Sequence, residues 1–96
     1  MKQTNPFYLS KKWKRKRSTI LRRDEYQCRE CKRYGKVTEA TVVHHCFTME
    51  SNPEWGLRDW NLISLCNKCH ERMHDRNTGE LTLTGEQWKE RVTPHL

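Results

Sequence analysis

His44 and His45 stand side by side in "ATVVHHCF", residues 40–47. The run is rich in β-branched residues and predicts a strand over 38–46. Neighbouring side chains of a strand point to opposite faces, so one imidazole can turn toward a packed layer while the other faces away from it. His70 and His74 follow at i and i+4. On a helix that spacing places both rings on one face, an arrangement suited to two imidazoles on one metal. The chemistry open to the four rings is cation binding by some and proton transfer by another. A neutral imidazole, with an ordinary pKa of about 6.5, serves as ligand or base near neutrality.

The cysteines supply what could hold these rings together. Cys28 and Cys31 form one C-x-x-C unit, and Cys66 and Cys69 form a second, 34 residues further on. Each two-residue gap lets a tight turn aim both sulfurs at one ion, and two such turns complete a tetrahedral S₄ site for structural Zn²⁺. A redox C-x-x-C needs only one pair. The fifth cysteine, Cys46, reads as a small buried strand residue and not as a ligand. The odd count argues against a complete disulfide framework, and reduced thiols point to an intracellular, cytoplasmic setting.

A staple is needed on grounds of size. The chain has 96 residues, of which 33% are hydrophobic and 32% charged. A core that small rarely suffices alone, and bound metal is a usual remedy. No window approaches the ~20 apolar residues of a membrane span, and no signal peptide is evident, so no membrane partner is expected. The net charge of +7 is unevenly placed: residues 1–23 hold nine Lys or Arg and no acid, whereas the remainder holds ten basic and twelve acidic residues. Such a block favours DNA or another nucleic acid as partner.

The elements that must position these groups follow from pattern. Residues 1–9 read as an irregular segment, with Pro6, Phe7 and Tyr8 as possible docking aromatics. Ser10 is a fair N-cap for a helix over roughly 11–24. Trp13, Arg17, Ile20 and Leu21 form one helical stripe that packs on the domain. Lys11, Lys12, Lys14, Arg15, Lys16, Arg17 and Arg22 are the candidate DNA-binding residues of this helix. Residues 47–60 read as loop, with Trp55 and Trp60 closing it over the core. A second strand covers 62–65, and a helix runs from Cys66 to about Arg76, ended by Asn77-Thr78-Gly79. Thr84 with Gln87 reads as a capping box that starts a last helix carrying Trp88 and Val92. The chain divides as an irregular segment (1–9), a central domain with its basic leading helix (10–79) and a C-terminal helical extension (80–96).

"VVHHC", then "DWNLISLCNKCHERMH", with one C-x-x-C before and one within, resembles the HNH endonuclease family over about residues 7–76. The basic helix leading into "RRDEYQCREC" resembles the small HNH nucleases of tailed bacteriophages. The resemblance implies a small α+β fold, a ββα-metal motif on a zinc-stapled, treble-clef-like core, with an N-terminal basic helix and a C-terminal helix. By position it implies His45 as general base and Asn61 as the residue that orients the loop and that base. It implies His44, where many relatives carry Asp, and His70 as ligands of a catalytic divalent cation. His74 matches an additional ligand of colicin-type members. Imidazoles in place of a carboxylate suit Mn²⁺, Co²⁺, Ni²⁺ or Zn²⁺ better than Mg²⁺. The implied activity is metal-dependent hydrolysis of DNA phosphodiesters, by nicking or double-strand cleavage with low sequence specificity. The implied setting is the host cytoplasm, with a phage terminase as candidate packaging partner. The competing reading is a non-catalytic zinc-binding DNA-binding module, which explains the cysteines and the basic arm but leaves His44, His45, Asn61 and His70 without a task.

Overall fold

The computed structural model describes residues 6–93; the expectations for residues 1–5 and 94–96 lie outside the described residues. Ser10 starts helix α1 (Lys11–Arg23) as expected. Its Oγ accepts from the Trp13 N–H at 3.1 Å, which satisfies one of the orphan donors of the first turn. The helical stripe holds: Trp13, Ile20 and Leu21 are buried, and Lys11, Lys12, Lys14, Arg15 and Arg22 stay exposed. Residues 6–9, expected to be irregular, form a 3₁₀ turn (Pro6–Leu9). The Ser10 side chain ties that turn to the helix by donating to the Phe7 carbonyl at 2.7 Å.

Glu25 and Tyr26 both take left-handed backbone angles, with φ of 56° and 58°, and turn the chain sharply into the first cysteine knuckle. Cys28 caps a short helix, α2 (Arg29–Arg33). The chain then forms β1 (Val42–His45), antiparallel to β2 (Leu62–Leu65), with His44 opposite Ile63 and His45 opposite Leu62. β1 is shorter than the expected 38–46. Residues 38–40 are drawn off to the knuckle instead: Cys28 N–H donates to the Thr38 carbonyl at 2.7 Å and Ala40 N–H to the Tyr26 carbonyl at 2.8 Å.

β2 is buried on both faces, as its unbroken Leu-Ile-Ser-Leu sequence suggests. Leu62 joins Trp13, Ile20, Leu21, Ala40 and Val43 on the α1 side. Ile63 and Leu65 join Cys28, Cys46, Cys69, Met73 and Trp88 on the other. Cys46 is fully buried in this second cluster. The hairpin is thus the middle layer between a helix and a cysteine knuckle.

The helix after β2 departs from expectation. α3 covers only Asn67–Glu71, so His74 does not share a helix face with His70. The cause is distant in sequence. Thr82 takes the carbonyls that a longer helix would use, its Oγ1 donating to Arg72 at 2.6 Å and its N–H to Met73 at 2.9 Å. Residues 74–81 form a small hairpin in which His74 bridges Leu81. The last helix, α4 (Leu83–Val92), is capped by Thr82, whose Oγ1 accepts from Gly85 N–H at 3.3 Å, and not by Thr84. Gly85 allows the close approach: a Cβ there would lie 2.6 Å from the Met73 carbonyl oxygen. No helix among the described residues is long and apolar enough to cross a membrane.

Arg23 and Asp24 fasten α1 to the hairpin. The Asp24 carboxylate accepts two hydrogen bonds of 2.9 Å from the Arg23 guanidinium and one of 3.0 Å from Ser64 N–H. Arg23 also donates to the carbonyls of Leu62 at 2.6 Å and Asp59 at 2.8 Å. Burial pushes the Asp24 carboxyl up, but the Arg23 guanidinium and Ser64 outweigh it and hold the pKa below its ordinary value. The carboxylate's contribution to stability is therefore present above the unfolded value of about 3.9 and fades as pH falls through the lower folded value. Asp24→Ala leaves the fully buried Ser64 with an unpaired N–H, at a cost of about 1–3 kcal/mol. Urea unfolding at pH 7 reads this directly, and the gap between the two proteins should narrow as pH falls below about 4.

Candidate active site

The two histidines of β1 part as alternation requires. His44 faces α3: its ring centroid lies 5.5 Å from that of His70 and 5.7 Å from that of His74. His45 faces α1, stacked on Trp13 with centroids 4.8 Å apart and planes 24° apart. His74 reaches the cluster from the 74–81 hairpin and not from the helix, so the i, i+4 geometry is absent while the convergence remains.

His44 is only 2% exposed. Its Nε2 is the one sealed side-chain nitrogen or oxygen among the described residues that lacks a hydrogen-bond partner. A buried orphan of this kind costs free energy unless something accepts its lone pair or proton. Burial first, then the neighbouring His70, His74 and His45, push its pKa down to about 3. Burial also lowers His70, helped by His74 and opposed by Glu71. Both rings are held neutral, with lone pairs to give. The Gly79 carbonyl, 3.1 Å from His74 Nδ1, can only accept. Nδ1 of a neutral His74 therefore carries the hydrogen and Nε2 the lone pair, the kind of outer contact that fixes a ligand's tautomer. Two donor nitrogens with assigned lone pairs or no partner, and a third ring beside them, fit a divalent cation that accepts imidazole.

His45 Nε2 lies 3.0 Å from the Gly56 carbonyl oxygen. The carbonyl accepts, so the neutral ring donates from Nε2 and keeps its lone pair on Nδ1. Burial pushes the His45 pKa down, and the Gly56 contact partly offsets it. Asn61 is fully buried and clamps the 47–60 loop. Its Oδ1 accepts from Phe47 N–H at 2.7 Å, and its Nδ2 donates to the carbonyls of Phe47 at 3.0 Å and Trp55 at 3.2 Å. Trp55 directly precedes the Gly56 that holds His45, so Asn61 sets the carbonyl on which the imidazole rests. Trp55, Trp60 and Phe47 pack edge to face over this loop, with centroids 5.1–6.0 Å apart.

The four cysteines form the one group of His, Cys, Asp or Glu among the described residues whose donor atoms all lie within 4.8 Å of one another; the three imidazoles face one another less tightly. Cys31 Sγ is 3.9 Å from Cys66 Sγ and 3.6 Å from Cys69 Sγ. Four sulfurs at about 2.3 Å from a tetrahedral zinc stand roughly 3.8 Å apart, so the cluster fits zinc. Burial pushes the thiols of Cys28 and Cys69 up, whereas a hydrogen bond with Thr38 pulls Cys31 down. Cys46 lies outside the group, and burial pushes its thiol up to about 12, as befits an inert core residue.

His44, His45, His70 and His74 line one open cleft of about 1370 Å³. Tyr8, Trp13 and Arg17 form one wall, and Glu86 and Lys89 of α4 form part of the other. Of the basic residues of α1, Lys16 pairs with Asp59, and Arg17 donates to the Thr41 carbonyl at 2.7 Å. Lys11, Lys12, Lys14, Arg15 and Arg22 point to solvent. Sequence reasoning missed the parts played by four residues. The Gly56 carbonyl is a backbone group and leaves no side-chain signature. Glu86 and Lys89 reach the cleft through a helix whose placement depends on distant contacts. The stack of Trp13 on His45 had its signal in the helical stripe, which indicates burial but not the partner.

No protein-family model matches the chain, and no curated protein matches it. Among solved structures it is similar to the HNH endonuclease of the deep-sea thermophilic bacteriophage GVE2, crystallised with a manganese ion. The TM-score is 0.68 and the identity 38%, over 69% of this chain and 72% of that one. The antiparallel hairpin, the short helix after it and the four-cysteine cluster agree with that kinship, and the chain belongs to the HNH endonuclease family.

Proposed function

We propose that the protein is a metal-dependent DNA endonuclease that hydrolyses phosphodiester bonds with low sequence specificity, by nicking or by cutting both strands. The observation that carries this reading is the division of the His44–His45 pair. One ring, buried with an unpartnered nitrogen, faces two further imidazoles. The other, with its tautomer set by Gly56, lines the same cleft.

His45 is the general base and takes a proton from the attacking water onto Nδ1, because its Nε2 hydrogen is committed to Gly56. Asn61 keeps the loop, and hence Gly56, in place. His44, His70 and His74 are the ligands of the catalytic cation. When bound there, a divalent cation supplies electrostatic stabilisation for the negative charge that develops on the phosphate. Cys28, Cys31, Cys66 and Cys69 hold a structural Zn²⁺ that seats α3 against the hairpin. Lys11, Lys12, Lys14, Arg15 and Arg22 contact DNA phosphates, which position the duplex without reading its sequence. Lys16 and Arg17 join them by exchanging Asp59 and the Thr41 carbonyl for phosphate. The phage source of the similar nuclease supports a role in phage DNA packaging with a terminase; co-purification of the two tests it.

A set of imidazoles favours Mn²⁺, Co²⁺, Ni²⁺ or Zn²⁺ over Mg²⁺, and the similar structure holds manganese, one of these ions. The test is cleavage of supercoiled plasmid by protein that keeps its structural zinc but has lost exchangeable cations. Relaxed or linear DNA should appear with at least one of the softer ions at a rate equal to or above that with Mg²⁺. His44→Ala should raise the ion concentration needed for half-maximal rate by more than the roughly 10–100-fold that loss of an outer partner of a ligand costs. DNA binding without cleavage under any of the five ions would favour the zinc-binding DNA-binding module.

A further inference from the structure

The hydrogen bond to Gly56 fixes which nitrogen of His45 carries the proton, but it leaves the ring free to rotate about the Nε2···O axis. A flat contact removes that freedom, and here it comes from outside the hairpin. Trp13 of α1 is 5% exposed and lies face-on to the imidazole, 4.8 Å between centroids and 24° between planes. Phe7 and Tyr8, from the turn before α1, each meet the same imidazole edge-on at 5.9 Å. These three rings also brace one another: Phe7 is 5.4 Å from Tyr8 and 5.3 Å from Trp13, and Tyr8 is 5.5 Å from Trp13. A tryptophan needed only to fill the α1 core has no call to lie parallel to a polar ring, since Ile20, Leu21 and Leu62 offer apolar surface in the same cluster.

From this arrangement we infer that Trp13, supported by Phe7 and Tyr8, is a positioning residue for His45: it sets the plane of the imidazole and so aims Nδ1 at the water to be deprotonated. The inference rests on the reading of His45 as general base. It gives α1 two tasks on two faces. The outward face carries Lys11, Lys12, Lys14 and Arg15, and the inward face carries the plate against which the base lies. A base held in a productive orientation gains rate through geometry alone, and loss of that orientation shows in kcat and not in substrate affinity.

The experiment compares Trp13→Leu, Trp13→Phe, Tyr8→Ala and His45→Ala in the zinc-loaded full chain. It measures plasmid-cleavage kcat and KM, DNA Kd, and the ¹⁵N–¹H spectrum of the histidine side chains, which reports both the tautomer and the ring order of His45 without added catalytic metal. Trp13→Leu should lower kcat by about tenfold or more with Kd within about twofold. It should also broaden and shift the ring signals of His45, while the Nε2–H tautomer that Gly56 sets persists. Trp13→Phe, which restores a flat ring, should recover most of both. If Trp13→Leu fails to fold, Tyr8→Ala carries the same test from the cleft edge, with a smaller fall in kcat at unchanged Kd. Folded Trp13 or Tyr8 variants with parental kcat and a parental His45 spectrum, beside an inactive His45→Ala protein, overturn this proposal alone. A His45→Ala protein that cleaves at the parental rate overturns the base assignment and the positioning role with it.

Discussion

His45→Gln lowers metal-supported plasmid cleavage by about 10²–10⁴-fold, the span over which a positioned base acts, and leaves DNA affinity near that of the parent. Glutamine is chosen because it separates two roles. Its amide can still donate to the Gly56 carbonyl, which His45 Nε2 meets at 3.0 Å, and it fills much of the space beneath Trp13. What it lacks is a basic nitrogen. If His45 were only a strut between the loop and α1, glutamine would retain most of the rate and alanine would not. If His45 is the base, the two variants fall together. Rates are compared under saturating DNA and cation, so that a change in KM or in cation affinity does not pass for a change in chemistry. Parental cleavage by the glutamine variant would move the proton-accepting role elsewhere in the cleft.

Loss of the four-cysteine cluster should unfold the chain. A structural zinc site contributes roughly 10–16 kcal/mol at neutral pH, whereas the whole net stability of a domain is about 5–15 kcal/mol. Removing the first leaves little of the second. Cys69→Ser, or a strong chelator applied to the parent, should therefore abolish the cooperative thermal transition seen by circular dichroism and reduce helical signal. Zinc added back should restore the chelated parent but not the variant. Cys46→Ala is the control. Cys46 is as buried as Cys28 but stands outside the cluster, so it should cost only about 1–2 kcal/mol of packing and keep the zinc content of the parent. A Cys69→Ser protein that melts like the parent would show that the apolar core carries the fold without the staple.

These two expectations draw on features that differed in how legible they were. The cysteine spacing, the Ser10 cap and the Trp13–Ile20–Leu21 stripe are local patterns with local causes, and the structure reproduces them. The split of His44 from His45 follows from the pleat of a strand and could be read before any fold was known. The end of α3 could not. Residues 66–76 are compatible with a longer helix, and only Thr82, folding back on Arg72 and Met73, stops it after Glu71. The cap of α4 moved from Thr84 to Thr82 for the same reason: one threonine serves both the helix it starts and the turn it closes. Contacts made by backbone carbonyls, such as Gly56 beneath His45, carry no side-chain signal at all. Nor does a basic run disclose that Arg23 clamps α1 to the hairpin while Lys11 points to solvent.

The clamp made by Arg23 and Asp24 also bears on how the protein behaves in company. A sheet of two strands has an outer edge on each, and an open edge is a template on which a strand from another molecule can grow. Leu62 and Ser64 turn their backbone groups away from β1, and it is these groups that Arg23 and Asp24 occupy, the guanidinium on one carbonyl and the carboxylate on one N–H. Two side chains from the end of a helix thus stand in for a third strand. They present charge where a neighbour's backbone would have to dock. The β2 edge of the hairpin is in this way closed to a strand from a second copy of the chain.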